Sequence, residues 1–385
     1  MGLEGNITED WVDTTLGDVC EIKYGKDHKR LNDGDVPCFG SGGLMRKVSK
    51  VLYDKPSVLI PRKGTLSNLF FVNEPFWTVD TLFYTKINSS KIIPKYLFYK
   101  LKTQDLESLN VGSAVPSLTT AVLNQFPFSI PSITEQKAIT KVLTAFDDKI
   151  ELLQAQNKTL ETMAQTIFKE WFGKYQIGDE LPEGWRVGKL DEVLSICGGS
   201  TPSTKNPDFW DGKINWTSPK DLSNSKGIFL LNTEKKITKE GLNKISSGLL
   251  PKGTLLLSSR APVGYLSITN LEVAINQGYI AILPEQYLSN KYMYLWLDKY
   301  MQVVKNAANG STFLEISKTA FRNIECVIPL KNTLERFDQI TEPIFGKILR
   351  NTLQIQSLAK TRDTLLPKLM SGQVRVKNLK QTADA

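Results

Sequence analysis

Histidine is almost missing from this sequence, with His28 the only one. The four cysteines, Cys20, Cys38, Cys197 and Cys326, stand far apart, and none forms a Cys-x-x-Cys pair. A zinc site needs about four clustered ligands, so the inventory argues against one and reads as buried or free thiols in a reducing compartment. One histidine also leaves no Ser/His or Cys/His constellation for nucleophilic hydrolysis. No apolar run approaches the roughly 20 residues of a membrane-spanning helix. The opening MGLEGNITEDWVD is acidic and polar, unlike a secretory signal, and lacks the Ser/Thr of a myristoylation signal. A cytoplasmic location is expected.

Catalytic motifs are missing as well. A DNA adenine methyltransferase would carry Asp/Asn-Pro-Pro-Phe/Tyr and a Gly-rich cofactor loop. Asn206-Pro207-Asp208-Phe209 has Asp208 at the second proline, and no such loop precedes it. Gly40-Ser41-Gly42-Gly43 does not lead into the G-x-x-x-x-G-K-S/T of a nucleotide-driven motor. Pro207-Asp208 with Asp211-Gly212-Lys213 is too compressed for a restriction nuclease core, which places these groups on separate strands. The expectation is a binding protein without catalytic residues or a metal.

The 385 residues, 41% hydrophobic and 23% charged, suffice for two ordinary domains plus connectors. The net charge of +8 suits a polyanionic partner. No block is a basic tail, so folding must assemble any nucleic-acid surface.

The chain repeats itself. Trp11, Leu16, Val19, Ile22 and Gly25 recur at one constant spacing as Trp185, Leu190, Val193, Ile196 and Gly199. Val58–Gly64 resembles Leu256–Pro262, with Arg62 falling on Arg260, and Lys95-Tyr96-Leu97-Phe98 answers Lys291-Tyr292-Met293-Tyr294. Gly112-Ser113 answers Gly310-Ser311, and Ile130-Pro131 answers Ile328-Pro329. The spacing widens between Gly199 and Arg260, so the second copy carries about two dozen extra residues, assigned to a stretch that includes STPSTKNPDFWDGKINWTSPKDL. Short β-rich runs (Val58–Pro61, Phe83–Ile87, Thr254–Leu257, Tyr279–Leu283) alternate with helical patches (Lys95–Lys102, Lys291–Tyr300). After Pro131 and Pro329 a long helix is expected in each copy.

In the first helix the seam reads Ile139, Leu143, Phe146, Ile150, Leu153, Asn157, Leu160, Ala164, Ile167, Trp171. In the second it reads Phe337, Thr341, Ile344, Ile348, Asn351, Ile355, Leu358, Arg362, Leu365, Leu369. Such heptads predict two helices of about 33 residues, roughly 50 Å long, packed on each other or on another protein. A flush antiparallel pair that sets Ile139 against Leu369 sets Asn157 against Asn351. A flush parallel pair sets Asn157 against Ile355. A lone Asn at a core position fixes register when it meets a polar partner, so the antiparallel arrangement is expected, with a globular copy at either end of the rod. The domain division is 1–133 and 183–329 for the globular copies, with 134–182 and 330–385 for the helices, linker and tail.

The order of these motifs resembles the specificity (S) subunits of type I restriction–modification systems. The resemblance covers about residues 9–375. It rests on Leu181-Pro182-Glu183-Gly184-Trp185 with Leu190 and Val193, and on Gly198–Pro202 with Trp210-x-Gly212 and Trp216. It rests also on Val36–Gly43, Pro61–Gly64, Val79-Asp80-Thr81, the helix opening Ile130–Gln136 and the run Leu365–Gly372. The second helix departs from the Glu-Gln opening, with Glu335-Arg336. The resemblance implies an α+β fold: two mixed α/β target recognition domains joined by two long helices in an antiparallel coiled coil, an internal pseudo-two-fold repeat. It implies a non-catalytic subunit that reads a bipartite, non-palindromic site in double-stranded DNA. Two methyltransferase subunits would bring S-adenosylmethionine, and translocase/endonuclease subunits would bring ATP and Mg2+; none of these cofactors is expected on this chain. A rod of roughly 50 Å would span about 15 base pairs.

Phosphate contacts position a protein on DNA and base-edge contacts specify sequence. Candidate positioning groups are Arg30, Arg46, Lys47, Lys63, Lys205 and Lys220. Candidate base readers are Arg62 and Arg260 with Ser67, Asn68 and Ser259, plus Thr201, Ser203, Thr217 and Gln277. The lysines read equally as solvated surface charges, and Trp216 as core or as a stacking platform. Two rivals stand beside the DNA reader: a partner-free adaptor that uses its helices for assembly, and a fused single-chain enzyme.

Overall fold

The computed structural model describes residues 10–376 apart from 225, 226, 261, 285 and 311–313. Ala261 and Ser311, which belong to two of the repeated runs, therefore lie outside the described residues, as do the opening residues and the tail. Two compact units emerge. One gathers the described residues up to Ile150 and from Ser357 onward; the other is Glu151–Gln356.

Each unit is built on the same strand plan. A short strand opens each globular copy and pairs antiparallel with one near its end: Val12–Thr15 with Pro127–Ile130, and Arg186–Lys189 with Glu325–Ile328. In the first unit a four-stranded sheet has the order Cys20–Tyr24, Leu82–Ile87, Ser57–Pro61, Phe70–Val72. Ser57–Pro61 is wholly buried, as its unbroken apolar run Val58–Ile60 demands of a central strand. In the second unit the order is Ile196–Cys197, Tyr279–Ile282, Leu255–Ser258, Leu266–Thr269, with Phe229–Leu230 added in parallel at the edge. A three-stranded sheet completes each unit. Val36–Gly40 lies antiparallel to Gly43–Val48 and parallel to Trp77–Thr78; Trp210–Thr217 lies antiparallel to Lys235–Ile237 and parallel to Ala274–Ile275. Gly25 and Gly199 show why the repeat keeps glycine there. A Cβ on Gly25 would collide with the Val79 carbonyl oxygen, and one on Gly199 with that of Ile275; only a residue without Cβ admits so close a backbone approach.

The strand pairing corrects the sequence alignment in two places. Arg62 N donates to Thr81 O at 2.8 Å, and the amide that makes the matching bond is Ser259 N, to Gly278 O at 2.8 Å. Leu118 N donates to Arg62 O, and Ile316 N to Ser259 O. Arg62 is therefore matched by Ser259, and Arg260 by Lys63; the two arginines are neighbours in alignment rather than counterparts. The extra residues of the second copy are also placed differently from the sequence expectation. Trp216-Thr217 pairs in parallel with Ala274-Ile275 as Cys38-Phe39 does with Trp77-Thr78, so INWT is a repeated strand and not an insertion. Where the first copy turns at Ser41-Gly42, the second runs through 218–234, with helix Pro219–Asn224 and the edge strand Phe229–Leu230.

The long helices are Ile133–Trp171, 39 residues, and Lys331–Met370, 40 residues. Both exceed the expected length because they begin directly after the prolines, ahead of the first seam residue. The first turn is tied down by Gln136, which is buried, accepts from Ile93 N at 2.9 Å and donates to Pro131 O at 3.0 Å. Leu334 holds this place in the second copy and is buried instead. The second helix continues through Pro343, whose ring forfeits one backbone hydrogen bond, because the adjoining Ile344, Phe345 and Ile348 are buried in the unit's core.

Seam positions are buried on both helices, including Ile139, Leu143, Leu153, Ala164, Phe337, Thr341 and Ile348. The apolar stripe is wider than the seam. Phe168, Phe172 and Phe345 join the core of the second unit, and Leu366 and Met370 that of the first. Within the second unit the rings of Trp171 and Phe337 lie 6.1 Å apart, and Asn351 Nδ2 donates to Asn157 Oδ1 at 2.9 Å. These pairs fall in opposite order along the two helices, as the flush antiparallel register requires. In the first unit Arg362, the charged seam residue, bonds Asp147 at 2.7 Å, and Asp147 also accepts from the Tyr99 hydroxyl.

Asn351 is almost wholly buried, and its Oδ1 has no partner among the described residues. Replacing Asn157 and Asn351 together with leucine is expected to raise the thermal midpoint. Asn157→Ala alone is expected to cost about 1–3 kcal/mol by leaving the buried Asn351 amide only its long bond to Gln156 Oε1, at 3.4 Å. Thermal denaturation of the two variants checks both signs; a double variant less stable than the parent contradicts the account.

Candidate nucleic-acid interface

The first unit brings several of the expected residues together around two glycine turns. Asn68 Nδ2 donates to Ser41 O at 2.7 Å, which braces the Gly40–Gly43 hairpin turn against the loop after Ser57–Pro61. Gly64, at φ +94°, is held by its amide to Pro116 O at 3.0 Å, and Lys63 forms a bridge with Ser117. The Arg62 guanidinium lies 5.7 Å from the centre of the Tyr24 ring, a cation–π contact that presets its direction. Lys63 is exposed beside it. Ser67 instead spends its hydroxyl on Glu107 at 3.0 Å.

Other candidates in this unit are placed differently. Lys47 is exposed on the hairpin strand, and Arg30 in a turn. Arg46 is committed inside the unit: it bonds Asp33 at 3.1 Å and the carbonyls of His28 and Leu31 at 2.9 and 2.6 Å. It shapes the loop before the hairpin, and its charge is already answered by Asp33.

In the second unit Thr201 Oγ1 donates to Gln277 Oε1 at 2.6 Å, so both sit at one exposed place. Arg260 adjoins them through the Ser259–Gly278 bond. It forms a bridge with Glu315, whose carboxylate lies 3.9 Å from its guanidinium. Lys205 and Ser203 are exposed, with the Ser203 carbonyl receiving Trp210 Nε1. Lys220 pairs with Glu234 at 2.9 Å, and its hydrogen bond and charge hold the Glu234 carboxyl below its usual range.

Thr217 cannot read a base. It is fully buried, and its hydroxyl bonds Asp221 at 3.0 Å and lies 3.1 Å from the Tyr279 hydroxyl. It faces inward because it ends the strand that packs beside Ala274-Ile275. Ser259 is buried for the same kind of reason, and Trp216 belongs to the core. Sequence reasoning missed Tyr24 and Ser41. Tyr24 shares the face of the buried Cys20 and Ile22 on its strand, so alternation would place it inward and hides its exposure; Ser41 had no signal beyond its glycine neighbours.

The cysteines offer no ready thiolate. Burial pushes the Cys20 and Cys326 thiols up to about 12 and raises those of Cys38 and Cys197. Among the described residues, no group of three or more His/Cys/Asp/Glu is placed to hold a metal ion, and no helix is long and apolar enough to cross a membrane.

The chain matches the family described as type I restriction modification DNA specificity domain twice, over residues 8–162 and 182–355. It is 26% identical to the type I restriction enzyme MjaIX specificity subunit of Methanocaldococcus jannaschii, across 97% of this chain and 96% of that one. It is 25% identical to the HindI specificity subunit of Haemophilus influenzae, across 81% and 85%. The fold is that of a type I restriction–modification S subunit from M. genitalium, with a TM-score of 0.64 at 18% identity over 96% of this chain and 98% of that one. This chain belongs to the type I restriction–modification DNA specificity family. It is a DNA-recognition subunit rather than a catalytic one, and such subunits work in complexes with DNA and other subunits.

Proposed function

We propose that this chain reads a bipartite, non-palindromic sequence in double-stranded DNA, one block per globular copy, and positions methyltransferase and restriction subunits on it. The observation that carries this is one strand plan used twice with different reading loops. The first copy presents the Ser41-Gly42 turn with Arg62, Lys63 and Asn68. The second presents 218–234 in place of that turn, with Thr201, Gln277 and Arg260. A shared scaffold with unlike loops binds alike and reads unlike sequences.

Arginine favours bidentate contact with guanine and Gln with adenine, so Arg62, Arg260 and Gln277 are the proposed base readers. Arg30, Lys47, Lys63 and Lys205 are the proposed phosphate contacts. In this reading the two long helices form an antiparallel coiled coil on which two methyltransferase subunits dock. S-adenosylmethionine, ATP and Mg2+ act in the partner subunits and not on this chain.

Titration calorimetry with S-adenosylmethionine is expected to give no heat of binding with the purified chain and saturable binding once methyltransferase is added. The same pair should retard duplex DNA carrying the methylated site. Methyl transfer by rigorously pure chain would favour a fused enzyme, and failure of the complex to bind any duplex would favour a partner-free adaptor; either result overturns the reading.

A further inference from the structure

Leu44 and Met45, on the strand Gly43–Val48, are 59% and 54% exposed. They are the only two consecutive large apolar residues left exposed among the described residues. Their exposure follows from a β-bulge. Cys38 pairs with Arg46 and Phe39 with Leu44, so Met45 is the unpaired extra residue, and a bulge re-aims the side chains around it. The Met45 thioether lies over Gly40, where a Cβ would strike its sulfur, and Val79 flanks the same spot. From Val79 the chain runs two residues to Thr81, whose carbonyl receives the amides of Arg62 and Lys63 at 2.8 and 3.4 Å. The apolar pair thus adjoins the proposed base reader of this unit, on a hairpin that Asn68 braces through Ser41.

A two-stranded ribbon fits a major groove about 12 Å wide, and the apolar group on base edges there is the thymine C5 methyl. Lys47 on the same strand and Lys63 beside Arg62 are exposed cations suited to the flanking phosphates. We propose that Leu44 and Met45 read a thymine methyl group in the DNA block taken by the first copy. This rests on the two-reader proposal above. The second copy has no counterpart, because 218–234 replaces the hairpin turn and Lys220 pairs there with Glu234.

The test uses the complex of the full chain with its methyltransferase and duplexes carrying the methylated site. Uracil replaces thymine at each position of both blocks in turn, which removes only the methyl group. One substitution in the first block is expected to weaken binding about four-fold, the equivalent of exposing one methyl-sized apolar group. The L44A/M45A variant should bind the thymine duplex weaker by the same factor and be indifferent to that uracil. Indifference of the unaltered complex to every uracil in the first block, a first block without an A·T pair, or a variant still sensitive to the uracil would overturn the inference. The uracil arm uses the unaltered chain, so it decides the matter even where the variant folds poorly. Failure of the two-reader proposal shows differently, as a site with no separable second block.

Discussion

Replacing Phe337 with alanine is expected to cost about 3–5 kcal/mol, the range for truncating a buried aromatic side chain. Phe337 is fully buried at a seam position of the second long helix. Its ring meets those of Phe172 at 5.0 Å and of Phe168, Trp171 and Tyr292 at 6.1 Å. Phe168 and Trp171 come from the first long helix, Phe172 follows its last residue directly, and Tyr292 comes from helix Asn290–Lys299 of the recognition segment. One side chain therefore ties both long helices to the part of the second unit that holds the reading loops. Edge-to-face aromatic contacts add to the area term, so Phe337→Leu should recover only part of the loss. Chemical denaturation followed by tryptophan fluorescence reports it directly, since Trp171 and Trp185 lie in this cluster. A loss below about 1 kcal/mol would mean that the cluster is not closed around Phe337.

The fold was legible in the sequence wherever geometry imposes a periodic or absolute demand. Gly25 and Gly199 recur because a carbonyl oxygen occupies the space of a Cβ. The heptads recur because a helix face must stay covered. Asn157 and Asn351 can be paired from the sequence because an amide in an apolar seam needs a partner at one height only. The alignment of Arg62 with Arg260 failed where no such demand exists. The chain after Ser57–Pro61 and Leu255–Ser258 leaves a buried strand for a loop, and a one-residue shift there changes no buried contact visible in sequence. The insertion was misplaced for a related reason. Ile214-Asn215-Trp216-Thr217 and Val36-Pro37-Cys38-Phe39 share a strand position and almost no residue types, so only pairing with Ala274-Ile275 and Trp77-Thr78 shows their equivalence.

The candidate site was legible by neighbourhood rather than by residue. Arg62, Lys63 and Asn68 do gather at one place, as do Thr201, Gln277 and Arg260. Sequence could not tell a free arginine from one consumed at home. Arg46 satisfies Asp33 and two loop carbonyls, a demand created by the turn of the chain from His28 to Asp33. Thr217 shares the strand face of the exposed Asp211 and Lys213, so alternation would leave it outward, yet both it and Trp216 are buried at the strand end, where its hydroxyl meets Asp221 and Tyr279. Ser67 and Lys220 are drawn to the acids Glu107 and Glu234, which are distant or inserted in sequence.

The second large effect concerns recognition itself. Exchanging residues 1–133 for the matching segment of another family member should replace one block of the target and leave the other untouched. The reason is that the first copy carries its own strand plan and its own loops. Each changed base pair costs about 1–3 kcal/mol of binding, so a block of several bases moves the modified sites almost completely. The decisive measurement is methylated-base sequencing of DNA from cells that carry this chain, or the exchanged one, together with its methyltransferase. The account predicts two short unlike blocks separated by a fixed number of unread bases, with the exchange altering one block only. A continuous or palindromic methylated site, or an exchange that alters both blocks, would contradict it.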